Sequence, residues 1–225
     1  MNVTPLLVAS TLLATAACSG DPSSPDPVAN DGRLQVVPGI AALAAVDVVV
    51  DGEVKLRNAA YGVPSSVIAL PQGAHVVRIV PANGAAAPGG TPVTLRANDT
   101  TRVVAIGTAT AINTVALGDT GAAPVPGKGK LRVTHLATNA PPIDVYRSQP
   151  DFPAFTRLMF PFPYQASSSF VESTPGNWVI RVTPKDGTQV LAESGPIRVD
   201  ALWVRTVLLL DSPDGGIRIT ALGDS

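Results

Sequence analysis

An all-β chain of two tandem immunoglobulin-like antiparallel sandwiches, behind a signal peptide and a flexible tether, is predicted by three observations. Short Val-rich runs alternate with Gly, Pro, Asp and Asn breakers. The second half of the chain repeats the first. An apolar leader ending at Cys18 precedes a polar, Pro-rich segment.

Composition supports the first observation. The 225 residues include 20 Gly and 22 Pro, are 45 % hydrophobic and only 4 % aromatic, and carry 15 % charged side chains. The apolar content is mostly Val, Ala, Leu and Ile, and no long 3.6-residue periodicity follows residue 20. The length exceeds one typical domain and allows two small ones. A net charge of −1 leaves no electrostatic footprint for nucleic acid.

The repeat organises the rest. Leu34-Gln35-Val36 matches Leu131-Arg132-Val133, and Val46-Asp47-Val48 matches Ile143-Asp144-Val145, both at an offset of 97. Val77-Arg78-Ile79-Val80-Pro81 recurs as Ile180-Arg181-Val182-Thr183-Pro184 at an offset of 103, and Ala116-Leu117-Gly118-Asp119 as Ala221-Leu222-Gly223-Asp224 at 105. Offsets that grow in one direction mark a duplicated domain with loop insertions. The predicted boundaries are a leader over 1–17, Cys18 and a tether over 18–32, repeat one over 33–119, a Pro/Gly linker over 120–129, and repeat two over 130–225.

In repeat one, strands are expected near 33–38, 46–51, 53–58, 65–70, 74–81, 91–96, 101–107 and 112–117. Asp51-Gly52 between two apolar runs predicts a two-residue hairpin turn with positive φ. Alternation puts Trp178, Ile180 and Val182 toward one core and His75, Val77 and Ile79 toward the other, with Leu34, Val36, Leu131 and Val133 joining them. The run 202–210 turns apolar on both parities at its end, as a central strand would.

The leader, Pro5 to Ala17, is uncharged and too short to span a bilayer, but has the length of a signal-peptide core. Small residues before the lone Cys18 resemble the lipobox of bacterial lipoproteins, in which that Cys is acylated. Thr15 stands where the lipobox usually has Leu, and Met1 to Thr4 lack Lys and Arg. Residues 19–32 are small, polar and Pro-rich, a composition that does not bury a core; as a coil they span on the order of 20 Å. Two or three acyl chains on Cys18, at about 0.8 kcal/mol per buried CH₂, would anchor the chain stably in a membrane. Ser19 after the Cys points to the outer rather than the inner membrane. With one Cys, no intramolecular disulfide forms.

The segment Val133–Tyr146 (VTHLATNAPPIDVY), followed by a Pro-Gly turn and an IRVTP strand, resembles the bacterial family of domain of unknown function 4397. The motif residues are Val133, His135, Ala140, Pro141, Asp144, Val145 and Tyr146; repeat one has Pro38 for the His and Val49 for the Tyr. The resemblance implies an extracytoplasmic sandwich, often in tandem, and brings no activity with it.

No GxSxG, HExxH, CxxC or P-loop pattern occurs. The expectation is a non-catalytic envelope protein with no cofactor and no metal, which binds or scaffolds an envelope protein or glycan. A purely structural spacer is an alternative. So is an accessory polysaccharide hydrolase using Asp144 or Glu172. His75 and His135 are read as packing residues, and Asp47 with Arg78, like Asp144 with Arg181, as cross-strand ion pairs on the solvent face. The candidate binding loop is Pro150–Tyr164, with Phe152, Phe155, Met159, Phe160, Phe162 and Tyr164. An exposed aromatic loop of this kind could grip a ring or a partner surface; the competing reading is that it caps the second sandwich or seals the contact between repeats.

Overall fold

The computed structural model describes residues 31–223, apart from 83, 85–88, 119–122 and 151–154. The leader, Cys18 and the tether over 19–30 lie outside the described residues, as does Phe152. Every regular element among the described residues is a strand. Repeat one contributes β1 (Gly32–Pro38), β2 (Ala45–Val50), β3 (Glu53–Ala60), β4 (Ile68–Leu70), β5 (Gly73–Pro81), β6 (Thr91–Leu95), β7 (Thr100–Gly107) and β8 (Ile112–Gly118). Repeat two contributes β9 (Gly129–His135), β10 (Ile143–Ser148), β11 (Thr156–Phe162), β12 (Val171–Ser173), β13 (Gly176–Pro184), β14 (Ala192–Glu193), β15 (Ile197–Val199), β16 (Val204–Asp211) and β17 (Ile217–Ala221).

The sheets correspond between repeats. Repeat one has the orders β4-β1-β7-β8 and β3-β2-β5-β6; repeat two has β12-β9-β16-β17 and β11-β10-β13-β14, with β15 also on β13. The β2–β3 hairpin turns at Asp51 and Gly52 with φ of 51° and 88°, the two positive values its sequence requires. Pairing is antiparallel throughout except at β1–β7 and β9–β16, which are parallel. Parallel strands are usually covered on both faces, and that is the case here: every residue from Thr100 to Ile106 and from Thr206 to Asp211 is buried.

Alternation fills two cores. Leu34, Val36, Val46, Val48, Val77, Ile79, Val103 and Ala105 pack in repeat one. Leu131, Val133, Ile143, Val145, Ile180, Val182, Val207 and Leu209 pack in repeat two. His75 departs from the expected inward set: its ring lies beside Asp51, not in the core.

The opposite parity of the parallel strands builds a third core, shared by both repeats. Val37, Val104, Ile106 and Leu117 from repeat one meet Leu136, Leu208, Leu210 and Leu222 from repeat two. Sheets β4-β1-β7-β8 and β12-β9-β16-β17 therefore face each other, and the two sandwiches stack as four layers. Polar contacts across this face are reciprocal. Arg102 donates to the Gly223 carbonyl at 3.1 Å, and Arg132 donates to the Gly118 carbonyl at 3.0 Å. Each guanidinium is steadied from its own sheet, Arg102 by Gln35 and Arg132 by Thr206. The repeated Ala-Leu-Gly at the end of each copy thus supplies a buried Leu and an acceptor carbonyl to the sister repeat. Tyr61 also donates to the Asp211 carbonyl across the boundary. The pattern is that of a self-complementary two-fold interface formed within one chain.

Candidate functional site

The outer face of sheet β11-β10-β13-β14 gathers several aromatic and charged groups of repeat two. Period-two alternation places those of β10 and β13 there. Ile143 and Val145 of β10, and Ile180 and Val182 of β13, point into the core, so Asp144, Tyr146, Arg181 and Thr183 point out. Tyr146 lies opposite Arg181 on β13 and Arg157 on β11. Phe155 precedes β11 and reaches over Arg181, whose guanidinium carbon sits 3.7 Å from the ring centroid. Arg157 lies 5.4 Å from the Tyr146 centroid and donates to its hydroxyl at 3.1 Å.

Both cations are neutralised locally. Arg157 meets Asp144 at 2.6 Å and Asp186 at 3.9 Å. Arg181 meets Glu193 at 2.6 Å. The Tyr146 hydroxyl, followed by the charges of Asp144 and Asp186, holds Arg157 above its ordinary pKa. Between these groups is a recess of about 210 Å³ lined by Tyr146, Phe155, Arg181, Thr183, Gly187 and Thr188. It sets the Tyr146 and Phe155 rings beside the Arg181 guanidinium. Such a surface stacks against flat, polar groups and needs no net charge on the ligand.

The expected solvent-face ion pairs are re-partnered. Asp47 lies opposite Val80 and Asp144 opposite Thr183, so neither faces the arginine of the IRVTP-type strand. Each instead takes the arginine of the following strand: Asp47 with Arg57 at 3.5 Å, Asp144 with Arg157 at 2.6 Å. The two differ in depth. Asp47 also accepts the Asn58 amide at 2.8 Å where Asn58 adopts a φ of 53°. Asp144 is 0 % exposed, accepts the Asp186 amide at 3.1 Å, and leaves Oδ1 buried without a partner. The two carboxylates named for the hydrolase alternative lie in different sheets. Asp144 is sealed against Arg157, whereas Glu172 lies on β12 in the other sheet, against the Val125 amide.

The aromatic segment is not one loop. Thr156–Phe162 is β11, hydrogen-bonded to β10. Phe155 reaches the recess. Phe162 is 1 % exposed and packs in the core of repeat two, so that candidate binding residue is corrected to a core residue. Tyr164, 42 % exposed, stands at the far end with its ring edge-on to His135 at 6.0 Å. Met159 and Phe160 lie within β11. Tyr146 was not anticipated as a recess residue, nor Arg157 as its neighbour, although the two-residue spacing of Asp144 and Tyr146 already placed those two on one face.

The histidines differ. His135 is 2 % exposed, stacked on Phe162 at 5.9 Å, and has a buried Nδ1 with no partner. Burial pushes its pKa down from 6.5 to about 4, against a weaker pull from Asp211. His75 holds Asp51 at 2.6 Å through Nδ1 and the Pro71 carbonyl at 2.8 Å through Nε2, and the Asp51 hydrogen bond leads in raising its pKa. No group of three metal-ligating side chains occurs among the described residues.

No curated protein matches the chain. Among solved structures, the Bacillus anthracis TIE protein is 10 % identical, with 80 % of this chain and 34 % of that one covered, at a TM-score of 0.27. A leucine-rich repeat protein from Bacteroides thetaiotaomicron is 14 % identical over 79 % and 26 %, at 0.22. A DUF3823 family protein from Bacteroides ovatus is 10 % identical over 76 % and 98 %, at 0.23. The chain thus spans about a third of the first and a quarter of the second, and at such scores none bears on function. The sequence family is firmer, because its match covers all of repeat one and runs on through the IDVY motif of β10. The chain belongs to the family described as domain of unknown function (DUF4397), matched over residues 32–146.

Proposed function

We propose that the protein is a lipid-anchored, non-catalytic binding protein of the bacterial cell envelope. Its anchor is Cys18, and its ligand face is the Tyr146–Phe155–Arg181 recess of repeat two. The observation that carries this reading is the chemistry of the recess. Two rings and the Arg181 guanidinium line it, Arg157 flanks Tyr146, and each cation is already matched by a carboxylate of its own sheet. None of the residues that line it is a nucleophile paired with a base, whereas stacking and hydrogen bonding are what it offers. The lipobox-like leader and polar tether support presentation at a membrane surface, with Ser19 favouring the outer membrane. The shared third core supports a scaffold that holds the recess still.

The test is co-purification from detergent-solubilised envelopes with wild-type bait and with Tyr146→Ala/Phe155→Ala, both checked for unchanged thermal midpoint. Envelope material held by wild type and lost by the double variant supports the recess. Equal retention by both places the binding elsewhere, and no retention by either leaves the spacer reading in its place.

A further inference from the structure

The rings of the repeat-two recess are not repeated in repeat one, although the arginine beside them is. Repeat one keeps that arginine as Arg78, but Val49 stands at the position of Tyr146, and Gly52 precedes β3 where Phe155 precedes β11. Strand parity puts the lining groups of repeat two on one face. Tyr146 and Arg181 lie directly opposite each other, and Thr183 is two residues further along β13, so all three point outward. The Arg181 guanidinium lies over the Phe155 ring, and the turn after β13 brings Gly187 and Thr188 to the same opening.

These groups hold more donors than acceptors. Arg181 gives its Nε hydrogen to Glu193 at 2.6 Å, and the N–H groups of its terminal nitrogens meet no acceptor among the described residues. The Tyr146 hydroxyl accepts from Arg157 at 3.1 Å and gives its own hydrogen to no described group. Thr183 donates to the Pro184 carbonyl, and Thr188 adds an exposed hydroxyl. The recess therefore calls for an acceptor, and for an uncharged one. Glu193 already balances the charge of Arg181, and its carboxylate repels a second anion brought to the same guanidinium. The volume of about 210 Å³ lies below the roughly 300–1,000 Å³ of sites for drug-sized molecules, which limits the guest to about one sugar ring.

We propose, resting on the recess as the ligand face, that it binds one N-acetylhexosamine residue of a glycan. The apolar C–H face of the pyranose packs against the Tyr146 and Phe155 rings. The acetamido carbonyl, the strongest neutral acceptor on such a sugar, takes the terminal N–H groups of Arg181. The ring hydroxyls are left to Tyr146 and Thr188, whose own hydroxyls can each donate or accept. A peptide carries the same amide, but a peptide read through its main chain needs an extended groove or a sheet edge. The recess is about one ring wide and lies on the face of a sheet.

The test is calorimetric titration of the full chain in detergent with N-acetylchitotriose against cellotriose, which has the same linkage and a hydroxyl in place of each acetamido group. Saturable binding of N-acetylchitotriose, about tenfold or more tighter than cellotriose, is expected, the scale of one hydrogen bond from a charged donor. Tyr146→Val, which installs the residue of repeat one, should weaken it by about tenfold. Arg181→Met keeps a stem against Phe155 but no donor, and should bring the two sugars to within about threefold of each other. Arg181→Met/Glu193→Gln, which also removes the stranded charge, reads the same preference if the single variant does not fold. A monomer arm identifies the source: N-acetylglucosamine bound as tightly as the trimer indicates a free sugar, weaker binding a glycan chain. No saturable binding of N-acetylchitotriose, equal affinity for cellotriose or for the peptide amide N-acetyltriglycinamide, or an undiminished acetamido preference without Arg181 would overturn the proposal. If it is overturned while Tyr146→Ala/Phe155→Ala still loses the envelope material that wild type holds, the recess remains the ligand face and only the ligand class is wrong. If that variant keeps the material, the recess reading falls as well.

Discussion

If the third core makes the two repeats one cooperative unit, an interface truncation in repeat one must be felt in repeat two. Ile106 is suited to the test. It is 1 % exposed and packs in the shared cluster rather than in the core of repeat one. Ile106→Ala removes three carbons that the surroundings refill only partly, a change that costs about 2–5 kcal/mol in buried sites. For a unit of about 150–250 residues, 1 kcal/mol shifts the thermal midpoint by about 2–4 °C, so a loss of about 3 kcal/mol predicts a fall of about 6–12 °C. Both tryptophans, Trp178 and Trp203, lie in repeat two. Their fluorescence therefore reports on the repeat that was not mutated, while far-UV circular dichroism reports on both. The two signals should move together by the same amount. A tryptophan midpoint that stays in place while circular dichroism gains a separate, earlier transition would refute the coupling.

Other consequences are equally open to measurement. Asp144→Ala removes a buried partner of Arg157 and should cost about 3–5 kcal/mol in urea melts, whereas Asp47→Ala, whose partner Arg57 is mostly exposed, should cost about 1 kcal/mol; equal losses would show that burial of the pair is not what separates them. Phe162→Ala should cost about 3–5 kcal/mol, while Phe155→Ala leaves the thermal midpoint within a few degrees, and the reverse order would move the recess away from Phe155. His135, held near 4 against 6.5 for an ordinary histidine, stays neutral in the fold while the unfolded chain takes up the proton. Stability is then complete above about pH 6.5 and declines as pH falls toward 4, by roughly 2 kcal/mol once screening is allowed for. His135→Phe should abolish that slope. His75 has the opposite sign: its raised pKa adds stability present below 6.5 and lost as pH rises through the folded-state value, so His75→Gln should flatten the fall on the alkaline side.

Much of the fold was legible in the sequence because period-two alternation and turn chemistry are local. Asp51-Gly52 could only turn tightly, and Leu34, Val36, Leu131 and Val133 could only face a core. The shared core was not legible for a physical reason. A strand apolar on both parities, such as Val204–Asp211, announces that both faces are covered, but not that the second cover is the sister repeat. The ion pairs were misassigned because recurrence of Asp47 with Arg78 fixes spacing along the chain, while partnership depends on strand register and on which side each neighbour lies. The aromatic segment looked like a loop because its Pro residues interrupt the pattern; its strand appears only once Met159 is seen paired with Val145. On this face, Phe155 was visible as an outlying aromatic, but Arg157 was one arginine among many until the hairpin brought it to Tyr146.

The envelope-anchor reading stands or falls on where the protein resides. Cells expressing the full chain or its Cys18→Ala variant, separated into soluble and membrane fractions and probed with a labelled palmitate analogue, decide it. The account predicts labelled wild-type protein in the membrane fraction and unlabelled, soluble Cys18→Ala. Soluble wild type with Cys18 intact, or a variant that stays in the membrane, contradicts it.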